Sequence, residues 1–144
     1  MKTVSQLLEI KGSAILSIPS EATVYEALVM MAENRVGALL IMDEGRLVGI
    51  FSERDYARSI ALLGKTSRNT LLKDVMTPRS VMTTVSRHNT VEECMNLVTD
   101  RRIRHLPVLE GEMVVGVVSI GDLVKETIAY QQFLINQLKK YIES

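Results

Sequence analysis

The sequence predicts an α/β (α+β) fold in which a β-α-β-β-α unit occurs twice. The two copies are expected to pack with pseudo-two-fold symmetry and to carry a long C-terminal helix. Three observations predict it. The chain repeats itself at a fixed offset. Each copy has a helix start and an amphipathic stripe at the same place. Each copy then runs into two apolar strands joined by a short turn.

The repeat comes from placing Thr23 on Thr90, an offset of 67 residues. Without a gap, Thr23-Val24-x-Glu26 falls on Thr90-Val91-x-Glu93. Arg35 falls on Arg102, Leu39 on Leu106, Val48-Gly49 on Val115-Gly116, Ser52 on Ser119 and Asp55 on Asp122. These are 9 identities in the 34 positions from 23 to 56, where chance at average composition gives about two. Many of the mismatches exchange one apolar residue for another, as in Val36 with Ile103 and Ile41 with Val108.

Each copy opens with a short apolar strand, Ile15–Ile18 or Val81–Val85. A capping-box pattern follows, Thr23-x-x-Glu26 or Thr90-x-x-Glu93, in which threonine and glutamate satisfy orphan N–H groups reciprocally. The helix behind it has a stripe at i, i+3, i+4, i+7 and i+8: Val24, Ala27, Leu28, Met31 and Ala32, or Val91, Cys94, Met95, Val98 and Thr99. Strands Ala38–Met42 and Leu47–Phe51 are joined at Asp43-Glu44-Gly45. Strands His105–Leu109 and Met113–Val118 are joined at Glu110-Gly111-Glu112. Both pairs suit hairpins. A second helix begins at Ser52 or Ser119. The division expected is 1–64 for the first copy with an N-terminal extension, 65–74 for a linker and 75–144 for the second copy with its helix.

Composition removes several function classes. Lys plus Arg total 17 and Asp plus Glu total 17, so the chain lacks the basic excess of a non-specific nucleic-acid binder. Four Tyr, two Phe and no Trp make a base-stacking platform improbable. A single cysteine, Cys94, excludes an internal disulfide, and with only His88 and His105 a structural zinc site cannot be assembled. The longest apolar run, Val36–Met42, is far short of the roughly 20 residues that span a bilayer. No targeting segment is read at the N-terminus, so a cytoplasmic protein without membrane or nucleic-acid partners is expected.

The chemistry lies at the second helix of each copy, in Gly49-Ile50-Phe51-Ser52-Glu53-Arg54-Asp55 and Gly116-Val117-Val118-Ser119-Ile120-Gly121-Asp122. Ser at the cap and Asp three residues on form a capping pair, and a carboxylate in the first turn complements the helix dipole. The same geometry can bind a ligand. A helix N-terminus with a serine hydroxyl receives phosphate. A carboxylate one turn on can accept two hydrogen bonds from a ribose diol. Ile50 and Val117 are apolar neighbours against which an adenine could lie.

This duplication, with Gly-x-x-Ser-x-x-Asp at matching junctions, resembles the CBS-domain pair, or Bateman module, in its stand-alone bacterial form. Arg102-Ile103-Arg104-His105-Leu106-Pro107-Val108 also resembles the family's second strand, and the likeness covers about residues 10 to 130. The resemblance implies two clefts. One would hold Ser52, Arg54 and Asp55 with Pro78, Thr83, Arg104 and His105. The other would hold Ser119 and Asp122 with Lys11, Leu16, Gly37 and Ala38. It implies a non-catalytic regulatory module that binds AMP, ATP or NAD(H), senses energy or redox state and signals to a protein partner by conformational change. No catalytic cofactor or metal is implied, and a homodimer is. The alternatives are a structural module with empty clefts and a module for S-adenosylmethionine. The first cleft, with Arg54, Arg104 and His105, is expected to prefer the ligand with more phosphate charge. The first copy departs from the family pattern where Leu40 stands opposite Pro107.

Other signals weigh less. Gly64-Lys65-Thr66 lacks the first glycine of a phosphate loop, since position 59 is Ser59. Cys94 falls on a core stripe, where a thiol is inert packing. No group near Asp55 or Asp122 in the sequence would activate a nucleophile, so an enzyme is not expected. From Ser119 to Glu143 no Gly or Pro follows Gly121, which predicts the long helix. Val124, Ile128, Gln131, Ile135, Leu138 and Ile142 line one stripe of it, for packing on its own domain or against a second copy.

Overall fold

A computed structural model describes residues 1–143. The elements run α1 (Val4–Lys11), β1 (Ser17–Ile18), α2 (Val24–Asn34), β2 (Ala38–Asp43), β3 (Arg46–Ser52), α3 (Glu53–Tyr56), α4 (Leu72–Val75), β4 (Thr77–Pro78), α5 (Val91–Arg101), β5 (His105–Glu110), β6 (Met113–Ser119) and α6 (Ile120–Glu143). The chain winds on past α3 as a π-helical turn, Ala57–Ala61, and makes single 3-10 turns at Ser67–Asn69 and Arg79–Val81.

Packing regroups these segments into two compact units. One comprises Met1–Ala14, Thr83–Glu110 and Val115–Ser144. The other comprises Ile15–Met82 and Gly111–Val114. Backbone hydrogen bonds explain the regrouping. In the unit containing the second copy, Val4 N–H donates to Asn89 O at 2.8 Å and Val91 N–H to Lys2 O at 2.9 Å. In the other, Leu72 N–H donates to Ala22 O and Val24 N–H to Thr70 O, both at 2.9 Å. The segment just ahead of the first copy therefore belongs with the second, and the whole stretch read as a linker, 65–74, belongs with the first. That stretch holds a 3-10 turn and the start of α4.

Each unit has its own core. Around α2, Ile18, Val24, Ala27, Met31, Leu39, Ile41, Phe51, Ile60 and Leu72 are buried together. Around α5 the buried set is Val4, Leu7, Leu8, Val85, Val91, Cys94, Val98, Leu106, Val108, Val118 and Leu123. The stripes read from spacing supply Val24, Ala27 and Met31 to one core and Val91, Cys94 and Val98 to the other.

In the first-copy unit the sheet order is β1-β2-β3-β4, with β1 parallel to β2 and the other pairs antiparallel. The β2–β3 hairpin turns through Glu44 and Gly45, both at positive φ (51° and 80°), which the primed hairpin turns require. Its ladder shifts register between Ile41 and Met42. β4 carries Pro78 at the sheet edge, where proline is tolerated.

The first strands are shorter than the sequence suggests. Ile15–Ile18 shrinks to Ser17–Ile18. Val81–Val85 forms no strand: Val81 ends a 3-10 turn and is 67% exposed, and Val85 makes one parallel bridge, to Val108. Proline explains part of the difference. Leu40 N–H donates to Leu16 O at 3.3 Å, whereas Pro107 at the matching position has no N–H. The bridge that remains, Val85 to Val108, matches Ile18 to Ile41 at the same 67-residue offset.

Candidate functional site

Ser52 ends β3 and caps α3. Its N–H donates to Asp55 Oδ2 at 2.9 Å, its hydroxyl donates to the same oxygen at 3.1 Å, and Asp55 N–H donates back to Ser52 Oγ at 3.3 Å. This reciprocal pair satisfies orphan donors at the helix start. The other carboxylate oxygen, Oδ1, accepts from the Thr77 hydroxyl at 3.2 Å. Around them, Ala38 lies opposite Ser52 across the β2–β3 ladder, Gly37 O accepts from Glu53 N–H at 3.0 Å, Ile50 pairs with Thr77, and Pro78 pairs with Gly49. Arg54 is exposed on the first turn of α3.

The second-copy unit repeats this with a change of charge. Ser119 N–H donates to Asp122 Oδ2 at 2.9 Å, and Asp122 N–H donates to Ser119 Oγ at 3.2 Å. Lys11, from the end of α1, places its ammonium 2.7 Å from the same Oδ2 and also donates to Val117 O at 2.6 Å. Ile120 N–H donates to Arg104 O at 2.8 Å, the counterpart of the bond to Gly37 O. His105 begins β5, and Thr83 lies half-buried in irregular chain. Burial works to raise the Asp122 carboxyl, but Lys11 together with the Ser119 N–H and hydroxyl holds it below the usual carboxylate range.

The structure thus brings together Gly37, Ala38, Ile50, Ser52, Asp55 and Pro78 in one unit. In the other it joins Lys11, Arg104, Val117, Ser119 and Asp122. Leu16 enters through its carbonyl on Leu40. Sequence reasoning missed Thr77, which touches Asp55 directly. No motif marks it, and at the equivalent place in the other unit, where Leu8 lies beside Gly116 as Met76 lies beside Gly49, the sequence shows no matching residue. The first-turn N–H groups of Glu53 and Ile120 are engaged by backbone carbonyls, so the helix starts offer phosphate fewer donors than an isolated helix would.

Cys94 is fully buried and its thiol is pushed up to about 11, chiefly by burial and further by Glu93. Among the described residues no group of three or more His, Cys, Asp or Glu side chains could hold a metal ion. No helix among them is long and apolar enough to cross a membrane.

The CBS domain pattern matches residues 9–62 and 72–128, most of the chain and both helix starts. The chain belongs to the CBS domain family. It is 36% identical over 148 aligned positions to the mitochondrial CBS domain-containing protein CBSX3 of Arabidopsis thaliana, covering 98% of this chain and 72% of that one. A protein with CBS domains from Burkholderia ambifaria is similar in structure, with a TM-score of 0.85 and 42% identity over 89% of this chain and 95% of that one. Another solved CBS domain gives 0.83 and 45%, covering 88% and 98%. A more distant CBS domain pair shares the fold at a TM-score of 0.78 and 23% identity, covering 90% of this chain and 98% of that one. It was solved in complex with 5′-methylthioadenosine and S-adenosyl-L-methionine.

Proposed function

We propose that this CBS protein is a non-catalytic regulatory module that binds an adenosine-containing ligand at its two Ser-x-x-Asp helix starts. One observation carries the reading. In each unit an aspartate is fixed at the same point by the same serine, at the end of a strand and beside the neighbouring strand's first residues. Capping alone needs neither the two matching copies nor their common surroundings. A carboxylate so fixed can accept both hydroxyls of a ribose, and Ile50 and Val117 supply half-buried apolar surface close by. The distant relative that holds two adenosine derivatives supports the ligand class.

Within that class we favour AMP, ATP or NAD(H), with occupancy passed to a protein partner as a population shift. A reducing compartment such as the cytoplasm suits the lone buried thiol. Thermal unfolding with AMP, ADP, ATP, NAD, NADH, S-adenosylmethionine and 5′-methylthioadenosine tests this. A ligand at 100 times its Kd stabilises by about 2.7 kcal/mol. No shift with any of the seven would leave a structural module as the better account.

We also propose a homodimer through α6. Only Leu123 and Glu126 of that helix are buried. Neither belongs to the stripe read from spacing, which is exposed throughout, with Val124 41%, Ile128 61%, Ile135 46%, Leu138 62% and Ile142 78% exposed. Packing on its own domain therefore does not account for the stripe, and a second copy offers the same apolar face in return.

A further inference from the structure

Asp55 and Asp122 occupy equivalent helix starts but are held by different chemistry. Asp55 receives neutral donors only in its described hydrogen bonds: the Ser52 N–H and hydroxyl, and the Thr77 hydroxyl. Asp122 receives the Ser119 N–H at 2.9 Å and the Lys11 ammonium at 2.7 Å, both on Oδ2. A carboxylate oxygen has two acceptor sites, so Oδ2 is filled. A ribose diol that grips both oxygens needs one of those sites back. A neutral hydroxyl yields it at small cost. An ammonium in a charge-assisted bond does not, and this pair is only 30% and 25% exposed.

We propose that Lys11 is the specificity-determining residue of the Asp122 site, releasing the carboxylate only to a ligand whose own anionic group receives the ammonium. The proposal rests on the nucleoside reading above. A lysine carries its charge as a point on a flexible stem, so the ammonium can move without rearranging α1. A phosphate joined to the sugar arrives with the diol and gives the displaced ammonium a new partner. A free nucleoside brings none, and must break the ion pair without replacing it. The α6 start therefore discriminates nucleoside phosphates from nucleosides. At the α3 start the described donors to the carboxylate, from Ser52 and Thr77, are neutral.

Calorimetric titration of the Asp55→Ala variant, which keeps only the Asp122 site, separates the possibilities. AMP is expected to bind about tenfold or more tightly than adenosine. Adding Lys11→Met in the same background should reduce that preference to about threefold or less, because adenosine gains as AMP loses. Lys11→Arg should preserve it. Thermal melts establish that each variant folds, and Lys11→Gln replaces the methionine if that one does not. A preference unchanged by Lys11→Met overturns the proposal while leaving the nucleoside reading intact. AMP binding to the wild type but not to Asp55→Ala also overturns it, since no Asp122 site then exists. If neither compound binds the wild type, the nucleoside reading fails and the role of Lys11 fails with it.

Discussion

A Cβ on Gly49 would lie 2.6 Å from Met76 Sδ and 2.8 Å from the Thr77 carbonyl oxygen, and one on Gly116 would lie 2.7 Å from Leu8 Cδ2. The glycine that opens each Gly-x-x-Ser-x-x-Asp stretch is thus explained by the close approach of another chain segment. No ligand is needed to account for it. The two sites differ in what must move. At Gly49 a backbone oxygen is in the way, and at Gly116 only the end of a leucine. Gly49→Ala should therefore cost about 1–3 kcal/mol in urea denaturation, as overpacking does, and Gly116→Ala distinctly less. Equal losses would show that the neighbouring side chain, and not the backbone, sets the cost. Residue-level reading from sequence succeeded where chemistry is local. Thr23 and Thr90 accept from the Glu26 and Glu93 N–H groups, but only the second copy closes the expected box, with Thr90 N–H donating back to Glu93 Oε1 at 3.4 Å, while α2 is capped by Thr23 alone. Such reading failed where the partner is distant in sequence and no motif marks it, as with Thr77 on Asp55, whereas Lys11 was placed with Asp122 through the family resemblance. Arg35 and Arg102 end their helices at φ 54°, in left-handed conformation. Arginine is not a residue that announces such a position, so only its recurrence in both copies hinted at it.

Among the elements, hairpins and long helices were legible because period and turn chemistry agree. The first helix was not. Its capping box, Thr3-x-x-Gln6, is present in the sequence and formed in the structure. Ser5, Gln6 and Glu9 are the outer positions of a helix that buries Val4, Leu7 and Leu8, and Lys11 at its end reaches Asp122. The opening strands were overextended, since Ile15–Ile18 shortens to two residues and Val81–Val85 to a single bridge, because a run of β-branched residues says nothing about how many partners a parallel edge supplies. The α6 helix extends as expected, and its exposed stripe makes a firm prediction. Light scattering should give a dimer for the wild type and a monomer for Ile135→Glu/Leu138→Glu. Both side chains already face solvent within one chain, so their replacement should leave the fold intact. A monomeric wild type, or a double variant that stays dimeric, would remove α6 as the self-interface.

For the whole molecule, the repeat and the packing give different divisions of the chain, and both are real. The sequence shows which residues descend from one pattern, so 23–56 and 90–123 stand out. Compactness follows hydrogen bonds that link segments far apart in the chain, which puts Met1–Ala14 with the second copy. That regrouping brings Lys11 to Asp122 and Thr77 to Asp55, and makes two similar helix starts chemically unequal. The central claim is that these starts hold a nucleoside by its sugar. A crystal structure of the chain grown with saturating AMP tests it most directly. The account predicts ribose hydroxyls at hydrogen-bond distance, about 2.6–3.2 Å, from the carboxylate of Asp55 or Asp122. AMP bound away from both aspartates, or absent while its binding is measurable in solution, would contradict it.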